Sequence, residues 1–462
     1  MIDKDNIIAL ATPAGSGAIS IIRISGSKSI EITDSLFKSK NGSKLIDKNS
    51  HTITLGQITD ENRIVDQVLI SLFIAPKSYT GENVVEISCH GSSYVQNEII
   101  KLFIDNGCRA AKAGEFTLRA FLNGKIDLSQ AEAVADLISS KSSASHKIAL
   151  DQMRGGFKSD IKELRQQLLD FASLIELELD FSEEDVGFAN LNELKKLIHK
   201  IKETISVLID SFAAGNVIKN GIPIVIVGEP NTGKSTLLNA ILNDERAIVS
   251  DIPGTTRDTV EDEIILNGIN YRFIDTAGIR ATKDKIESVG IKKTFEKVES
   301  SSIVLHMLDS SVTDSNKIND SKQIINKIIK DFPDKNLIIV ANKIDIGDSK
   351  LIESHFKEFK HICISAKHST NIDELKQQIS SCIDLNEINT NSSVVTNSRH
   401  YDLLCKSSVE IQNVLKGIDN KISGDLLAID IRQALQYLGE LTGEVTNDEV
   451  LGNIFSKFCI GK

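Results

Sequence analysis

The chain has 462 residues, 41% of them hydrophobic and 25% charged, which is the balance of an ordinary globular protein with room for about three domains. Its formal net charge of -11 argues against a uniformly basic, nucleic-acid-coating protein, but a local basic patch or a partner that carries the nucleic acid stays open. No apolar run is long enough to cross a membrane, the N-terminus lacks a secretory leader, and the six cysteines form no CxxC pair, which together predict a reduced, cytoplasmic protein.

The first predicted domain, residues 1–123, mixes strand-like runs with turns. The runs are Ile19–Ile24, His51–Leu55, Val68–Ile74 and Val84–Ser88, and turn residues separate them. This pattern predicts a mixed α/β domain.

Residues 124–217 carry apolar residues every three or four positions, which predicts long amphipathic helices. The repeating positions are Ile161, Leu164, Leu168, Phe171 and Ile175, then Leu194, Ile198, Ile201, Ile205 and Leu208. Gly215 and Asn220–Pro223 mark the predicted end of this helical part.

Between residues 218 and 384, short apolar runs alternate with helical segments, which is typical of a buried parallel sheet. The runs are Ile224–Gly228, Phe273–Gly278, Ile303–Asp309, Leu337–Lys343 and Ile362–Lys367. One antiparallel hairpin is expected around Asn267-Gly268, because this dipeptide favours a tight turn.

Residues 385–462 begin with a polar linker and are then helical. We therefore predict a multidomain α+β protein. It has an N-terminal α/β domain, a helical bundle that is discontinuous in the sequence (124–217 and 385–462), and an inserted Ras-like P-loop domain (218–384).

A phosphate-binding loop is predicted at Gly228–Ser235, which fits GxxxxGK[ST] between an apolar strand and an amphipathic helix. Glycines let backbone N–H groups turn toward phosphates, and the helix N-terminus favours negative charge. Lys234 is expected to reach the β- and γ-phosphates, and the Ser235 hydroxyl to bind Mg²⁺.

Four further motifs follow in the order of a GTP-binding domain. Asp251–Asp258 supplies hydroxyls for Mg²⁺ and the γ-phosphate, and Asp275–Gly278 supplies a carboxylate for the metal shell and a glycine that senses the γ-phosphate. Asp345, in the motif Asn342–Asp345, offers a carboxylate to the two N–H donors on the edge of guanine, which adenine lacks. Ser365–Lys367 closes the base pocket.

The glutamine that orients the attacking water in many GTPases is missing, since Ile279 follows the Asp-Thr-Ala-Gly motif. No arginine finger can be assigned either. Glu287 and Arg280, in the same segment, are the candidate catalytic residues for holding the water, with Lys234 as the catalytic cation.

A monovalent cation is the other candidate for neutralising the charge that develops during hydrolysis. The Asn231 side-chain carbonyl, with the backbone carbonyls of Ser250 and Ile252, would form an all-oxygen site for it.

Several runs outside the GTP motifs are more specific than the motifs themselves, which many GTPases share. They are Ile7–Gly26, Thr80–Glu86, Gly114–Ala133 and the C-terminal Phe458–Lys462, together with Gly254–Asp258 in the switch. Through these runs the whole chain resembles the tRNA uridine-5-carboxymethylaminomethyl modification GTPases, the MnmE or TrmE family.

The resemblance implies that residues 1–123 bind a one-carbon tetrahydrofolate, 5,10-methylene or 5-formyl, and form a constitutive homodimer. The matching folate positions are Arg23, Glu86, Lys125 and Lys462, whose charges suit the folate glutamate and the donors of the pterin ring. Cys459 matches a cysteine that the family needs for modification, either as a nucleophile or as a packed apolar residue.

The resemblance also implies that K⁺ activates hydrolysis and pairs the two G domains of the dimer. The K⁺ positions match Asn231, Ser250, Ile252 and Thr255, the Mg²⁺ positions match Ser235 and Thr256, and Glu287 matches the acid that orients water. The full set expected to contact GTP is Asn231, Thr232, Gly233, Lys234, Ser235, Thr236, Ser250, Asp251, Ile252, Pro253, Gly254, Thr255, Thr256, Asp275, Thr276, Ala277, Gly278, Asn342, Lys343, Asp345, Ser365, Ala366 and Lys367.

Members of the family act with a flavin-dependent partner of the MnmG or GidA type, which uses FAD and NADH, in an α2β2 heterotetramer. Together they add a carboxymethylaminomethyl or aminomethyl group to C5 of the wobble uridine of certain tRNAs. The acidic charge of this chain suits a complex in which the partner carries much of the tRNA affinity.

The GTP motifs are also compatible with two other functions. A ribosome-assembly GTPase would switch without covalent chemistry, but such factors usually carry a basic RNA-binding appendage instead of the CIGK tail. A dynamin-like scaffold would need an apolar or basic amphipathic anchor, which the sequence lacks.

Overall fold

The computed structural model describes residues 5–61, 63–156, 158–180, 191–244, 262–274, 290–347, 349–382, 394–445, 448–456 and 458–461. The chain folds into two compact units. The first is formed by Met1–Ile138, Leu150–Ile205 and Asp402–Lys462, and the second by Ser139–Ala149 and Ser206–Tyr401.

The described strands form two sheets. In chain order they are β1 (Asn6–Leu10), β2 (Ile19–Ser25), β3 (Phe37–Ser39), β4 (Thr52–Asp60), β5 (Arg63–Phe73), β6 (Val84–His90), β7 (Cys108–Ala110), β8 (Ile222–Gly228), β9 (Asp262–Leu266), β10 (Ile269–Phe273), β11 (Ile303–Asp309), β12 (Asn336–Asn342) and β13 (His361–Cys363).

The described helices belong to both units, and four of them run from one unit into the other. In chain order they are α1 (Ser29–Leu36), α2 (Ser93–Asp105), α3 (Glu115–Leu122), α4 (Leu128–Ser139), α5 (Ser143–Met153), α6 (Lys158–Asp180), α7 (Leu191–Asn220), α8 (Lys234–Asp244), α9 (Gly290–Glu299), α10 (Ser315–Asp331), α11 (Ser349–Phe356), α12 (Ile372–Ser380), α13 (Ser398–Asp419), α14 (Gly424–Thr442) and α15 (Asp448–Phe455). The four that cross are α4, at its last residue, α5, α7 and α13.

The sheet of the first unit has the order β3-β4-β5-β6-β2-β1-β7, antiparallel except for the parallel pair β1–β7. Alternation along its strands buries one face, where Ile22, Ile24 and Ile87 join the core with residues of α1 and α2. The opposite face carries Arg23 and Glu86, which are direct cross-strand neighbours. The four predicted strands are confirmed, whereas β1 and the three-residue strands β3 and β7 were not predicted.

The long helices follow the predicted apolar period. Ile161, Leu164 and Leu168 are buried on α6, which packs against α14. The second predicted set is likewise buried along α7.

Gly215, predicted as part of a boundary, lies inside α7. A Cβ at this position would overlap the carbonyl oxygen of Val395, so the small residue serves a close approach of two chain segments and does not end the helix. The helix ends at Asn220, and Gly221 follows with a φ of 83°.

The sheet of the second unit has the order β13-β12-β11-β8-β10-β9, and every pair is parallel except β9–β10. Apolar side chains from both of its faces form cores. The predicted hairpin is confirmed: Asn267 and Gly268 have φ values of 50° and 79°, as a type I′ turn requires. Within the described ranges, none of the helices is long and apolar enough to cross a membrane.

Candidate functional site

The phosphate loop lies between β8 and α8, as predicted. Gly233 has a φ of 95°, and a Cβ there would overlap the side-chain amide nitrogen of Asn342. Only glycine therefore allows the loop to pass this close to the end of β12. Asn231, with a φ of 64°, is exposed on the same loop.

Lys234 begins α8 and directs its ammonium back across the loop. Its Nζ donates to the carbonyl oxygens of Gly228 at 3.0 Å and Glu229 at 2.7 Å. Burial lowers the pKa of this ammonium; the Glu229 carboxylate acts in the opposite direction. A cation held among backbone groups at a helix N-terminus is suited to an anionic phosphate ligand.

Asn342 joins the phosphate loop to the loop after β13. Its Nδ2 donates to the Thr232 carbonyl at 2.8 Å, and its Oδ1 accepts from the Ala366 N–H at 2.9 Å. The side chain is only 3% exposed, so both of its polar ends are satisfied inside the protein.

Asp345, the residue predicted to bind the guanine edge, lies next to Ser365 and His368. The Ser365 hydroxyl donates to its Oδ1 at 2.8 Å, and this bond lowers the pKa of Asp345. His368 Nε2 is 3.8 Å from the other oxygen. The carboxylate is therefore ionised and acceptor-only, as recognition of guanine N–H groups requires.

Lys343 is held by Asp309 at the end of β11, with Nζ 2.6 Å from Oδ2. Burial would raise the pKa of Asp309, but the bonds from Lys343 and Ser311 outweigh it and lower that pKa. Asp309 and His368 were not predicted as parts of the site, since no motif marks them.

Thirteen residues of the predicted nucleotide site lie outside the described residues. They are Ser250, Asp251, Ile252, Pro253, Gly254, Thr255, Thr256, Asp275, Thr276, Ala277, Gly278, Arg280 and Glu287.

A second group of predicted residues meets on the first sheet. Arg23 Nε donates to Glu86 Oε1 at 2.9 Å, and its guanidinium lies 5.4 Å from the Tyr79 ring centroid and 5.8 Å from that of Phe116. Lys125 Nζ donates to the Pro76 carbonyl at 3.0 Å, in the loop that also carries Tyr79. Tyr79 and Phe116 were missed because only the folded chain brings their rings beside Arg23.

The C-terminal tail returns to this sheet. Ala113 bridges Ile460, and the Gly114 N–H donates to the Cys459 carbonyl at 3.4 Å. Gly461, with a φ of 99°, sits so close to the Leu10 carbonyl that a Cβ would overlap it. The Cys459 side chain is exposed. Lys462 lies outside the described residues.

A largely parallel sheet with a phosphate loop after β8 and a guanine-type loop after β12 defines a GTP-binding protein. Two family models match nearly the whole chain: the GTP-binding protein TrmE N-terminus over residues 6–125 and the MnmE helical domain over residues 128–459.

Proteins described as tRNA modification GTPase MnmE align over the full length. The protein of Christiangramia forsetii is 55% identical over 471 residues, covering 99% of both chains. That of Flavobacterium psychrophilum is 56% identical over 467 residues, covering 100% of both, and that of Bacteroides thetaiotaomicron is 51% identical over 469 residues with the same coverage. The chain belongs to the MnmE family of tRNA modification GTPases, which confirms the predicted resemblance and makes it a GTP hydrolase of tRNA modification.

Proposed function

We propose that the protein uses K⁺-activated GTP hydrolysis to drive addition of a carboxymethylaminomethyl or aminomethyl group to C5 of wobble uridines, with a tetrahydrofolate as one-carbon donor. The observation that carries this proposal is the return of the tail to the first sheet. Gly461 contacts Leu10, and the neighbouring Ala9 is the cross-strand partner of Arg23. The exposed thiol and the charged pair therefore belong to one region of the first unit.

The residues at the Arg23–Glu86 pair suit a folate. A guanidinium, a carboxylate and two aromatic rings meet there, and the paired side chains are 21% and 23% exposed. The guanidinium would bind the folate glutamate, the carboxylate would accept from the pterin, and the rings would stack on it. Lys125 and Lys462 would add positive charge. When bound, the folate supplies the one-carbon unit.

Cys459 is proposed as a group that acts in modification. Its neighbour Phe458 is anchored in an apolar cluster with Leu128 and Phe455, while Cys459 itself is exposed. An anchored backbone with a free thiol suits a reacting side chain better than a packed apolar residue.

The nucleotide site suits Mg²⁺ and K⁺. Ser235, in the first turn of α8, and Thr256 would hold Mg²⁺ through hydroxyl oxygens. Asn231 is exposed on the phosphate loop, so its side-chain oxygen is open to a K⁺ that Ser250, Ile252 and Thr255 would complete. The cation would neutralise developing charge, and Glu287 would orient the attacking water. Arg280 is the further candidate of that segment.

A homodimer is proposed through the sheet of the first unit. Ile19, Ile53, Leu55 and Leu69 lie on the face opposite to its core and are 40–69% exposed. Four large apolar side chains on one open sheet face are typical of a protein–protein contact. The face also carries Arg23 and Glu86, so dimer formation would bury the proposed folate region.

The chain is proposed to divide into four functional segments, which are an N-terminal domain (1–123), the first helical part (124–217), the G domain (218–384) and the second helical part (385–462). A flavin-dependent MnmG-type partner, with FAD and NADH, would complete an α2β2 complex that acts on tRNA in the cytoplasm.

The modification chemistry is tested by replacing Cys459 with Ser, since the oxygen analogue keeps the volume but removes the thiolate. We expect GTP turnover to stay at the wild-type rate and modified wobble uridine, measured by mass spectrometry in a strain carrying only the variant, to disappear. Cys405→Ser, on α13, is the control and should modify normally. A wild-type level of modified uridine in the Cys459→Ser strain would show that the thiol takes no part in the modification reaction.

The cation mechanism is tested by exchanging Na⁺ for K⁺ at constant Mg²⁺ and ionic strength. We expect GTP turnover to rise at least about tenfold in K⁺, since one electrostatic stabiliser of the transition state is worth that much or more. Equal rates in the two salts would refute K⁺ activation and leave the modification proposal standing.

A further inference from the structure

A contact outside the nucleotide site ties the start of α5 to the β9–β10 hairpin. Lys141 Nζ lies 2.8 Å from each carboxylate oxygen of Glu263 on β9. The Ala144 N–H and the Ser143 hydroxyl both donate to the Gly268 carbonyl, at 3.2 and 3.3 Å. One short segment thus holds both the outer strand and the turn of the hairpin.

The two surfaces are shaped for each other. Gly268 has a φ of 79°, and a Cβ there would overlap the Ser143 hydroxyl. Ser142 and Ser145 cap the helix reciprocally, each hydroxyl 3.2 Å from the other's N–H. The capping leaves the Ala144 N–H, which has no acceptor within the helix, for the hairpin carbonyl.

The hairpin connects the two segments that are expected to sense the γ-phosphate. In sequence, β9 follows Asp251–Asp258 and β10 precedes Asp275–Gly278. Among the described strands, β9 pairs only with β10, so it is an edge strand of the sheet. Its Ile264 and Leu266 are buried in the core, and Glu263 also accepts from Asn270 Nδ2 at 3.2 Å, so the contact with Lys141 is one of several that hold the strand. A shift in either segment acts on the hairpin directly.

Helix α5 leads away from the contact. It runs to Met153, whose carbonyl accepts from Gln130 Nε2 on α4 at 3.0 Å. Residues up to Ala149 belong to the second unit and those from Leu150 to the first. One end of the helix is therefore bonded to the hairpin, and the other end is bonded to α4, which belongs to the same predicted helical part of the chain.

We propose that Lys141, Ser143 and Ala144 transmit the nucleotide state of the GTPase to α5. The position of the hairpin depends on the bound nucleotide, and the contact with these residues carries a change in that position to the helix. The proposal rests on the proposed function, for which it names the route out of the GTP site. The Lys141 side chain is 57% exposed. Exposed ion pairs contribute little free energy, so this pair breaks and re-forms without unfolding the hairpin.

Hydrogen–deuterium exchange of the full-length protein tests the proposed contact. Amide exchange rates over residues 145–153 are measured once with GDP alone and once with GDP plus aluminium fluoride and K⁺, and the two sets of rates are compared. We expect the exchange rates in the two states to differ about threefold or more in the wild type, since local opening of a helix end depends on the contacts that hold it. In Lys141→Glu and in Glu263→Lys the difference should vanish, because like charges replace the pair. The double variant, which restores opposite charges, should recover it.

Lys147→Glu, an exposed charge reversal on the same helix, is the matched control and should behave as the wild type. GTP turnover should stay within about twofold in all variants, since an exposed pair adds little to stability. A wild type without a nucleotide-dependent difference, single variants that keep it, or a double variant that fails to recover it would each overturn the proposal. Loss of GTP turnover in the single variants would also overturn it, by assigning the contact to catalysis. No tRNA is present, so a failure of the modification chemistry would not affect the result.

Discussion

The neighbours of the Asp345 side chain are suited to guanine recognition. The Ser365 hydroxyl fixes one of its oxygens, and the same bond keeps the carboxyl ionised. The remaining lone pairs are left for the two N–H donors of guanine. His368, 3.8 Å from the other oxygen, adds a polar neighbour that was not expected from the motif.

Asp345→Asn should therefore lower GTP affinity and raise that for xanthosine triphosphate, because the amide of asparagine donates where xanthine offers a carbonyl. A loss of at least about 2 kcal/mol for GTP is expected when a charged acceptor is removed. Competition of both nucleotides against a fluorescent GDP analogue measures it. Unchanged preference for GTP would contradict the base-reading role.

His306 is a polar residue inside a strand that otherwise reads as apolar. It is 3% exposed on β11, and its Nδ1 has no hydrogen-bond partner among the described residues. Burial, with a smaller contribution from the Lys234 charge, lowers the pKa of His306 to about 4. The folded state therefore holds this imidazole neutral at a pH where the unfolded chain begins to protonate it.

The sign of the pH effect follows. Below pH 6.5 the unfolded state binds more protons than the folded state, so stability falls as pH drops toward 4, by at most about 1.4 kcal/mol per pH unit. In His306→Leu this part of the pH dependence should be lost, which melting followed by circular dichroism at pH 7 and 5 would measure. His199→Leu, at an exposed position of α7, is the control. An identical pH response in His306→Leu and wild type would refute the assignment.

At the scale of elements, the phosphate loop keeps its conformation because it packs closely against the end of β12, at a point where Gly233 leaves room for Asn342. The carboxyl ends of parallel strands β8 and β12 lie at the same edge of the sheet. Asn342, at the end of β12, bonds to the phosphate loop and to Ala366 together. The loop conformation is thus held from outside as well as by its own residues.

Gly233→Ala should lower GTP affinity at least about tenfold, because the new Cβ meets the Asn342 amide in a backbone conformation that itself disfavours a side chain. Isothermal titration with a non-hydrolysable GTP analogue measures this affinity. Gly124→Ala has a comparable φ of 67° but open space around its Cβ, and it should bind nucleotide normally. Wild-type affinity in Gly233→Ala would show that the close approach is dispensable.

At the scale of the whole molecule, the exposed face of the first sheet is where a second copy of the chain would bind in the proposed dimer. Leu69 lies directly opposite Leu55, and Ile53 lies opposite Ser71 one pair further along the ladder. The apolar side chains thus form one continuous patch, on the same face as the Arg23–Glu86 pair.

Leu69→Lys should weaken the proposed dimer at least about tenfold, since an ammonium would be buried in an apolar contact without a partner. Sedimentation equilibrium measures the dissociation constant. Val207→Lys places the same charge at an exposed apolar position of α7 and should leave association unchanged. A wild-type dissociation constant in Leu69→Lys would move the dimer contact away from this face.

Much of the fold was predictable because the signals are local. The strands of the second sheet are short apolar runs, the hairpin has its own turn dipeptide, and the helices show their period within a few turns. β1, β3 and β7 were missed because strands of three to five residues are too short to show a clear alternation, and Gly215 was misread because its contact is with a distant segment.

Short-range patterns in the sequence predict the class of the protein, the types of most of its elements and the phosphate loop, since each depends on neighbours a few positions apart. Which distant residues meet is set by the folded chain. Arg23 and Glu86 are 63 positions apart, Thr232 and Asn342 are 110 apart, and Lys141 and Glu263 are 122 apart. Such contacts depend on strand order and on the path of the chain between them, which no local pattern encodes.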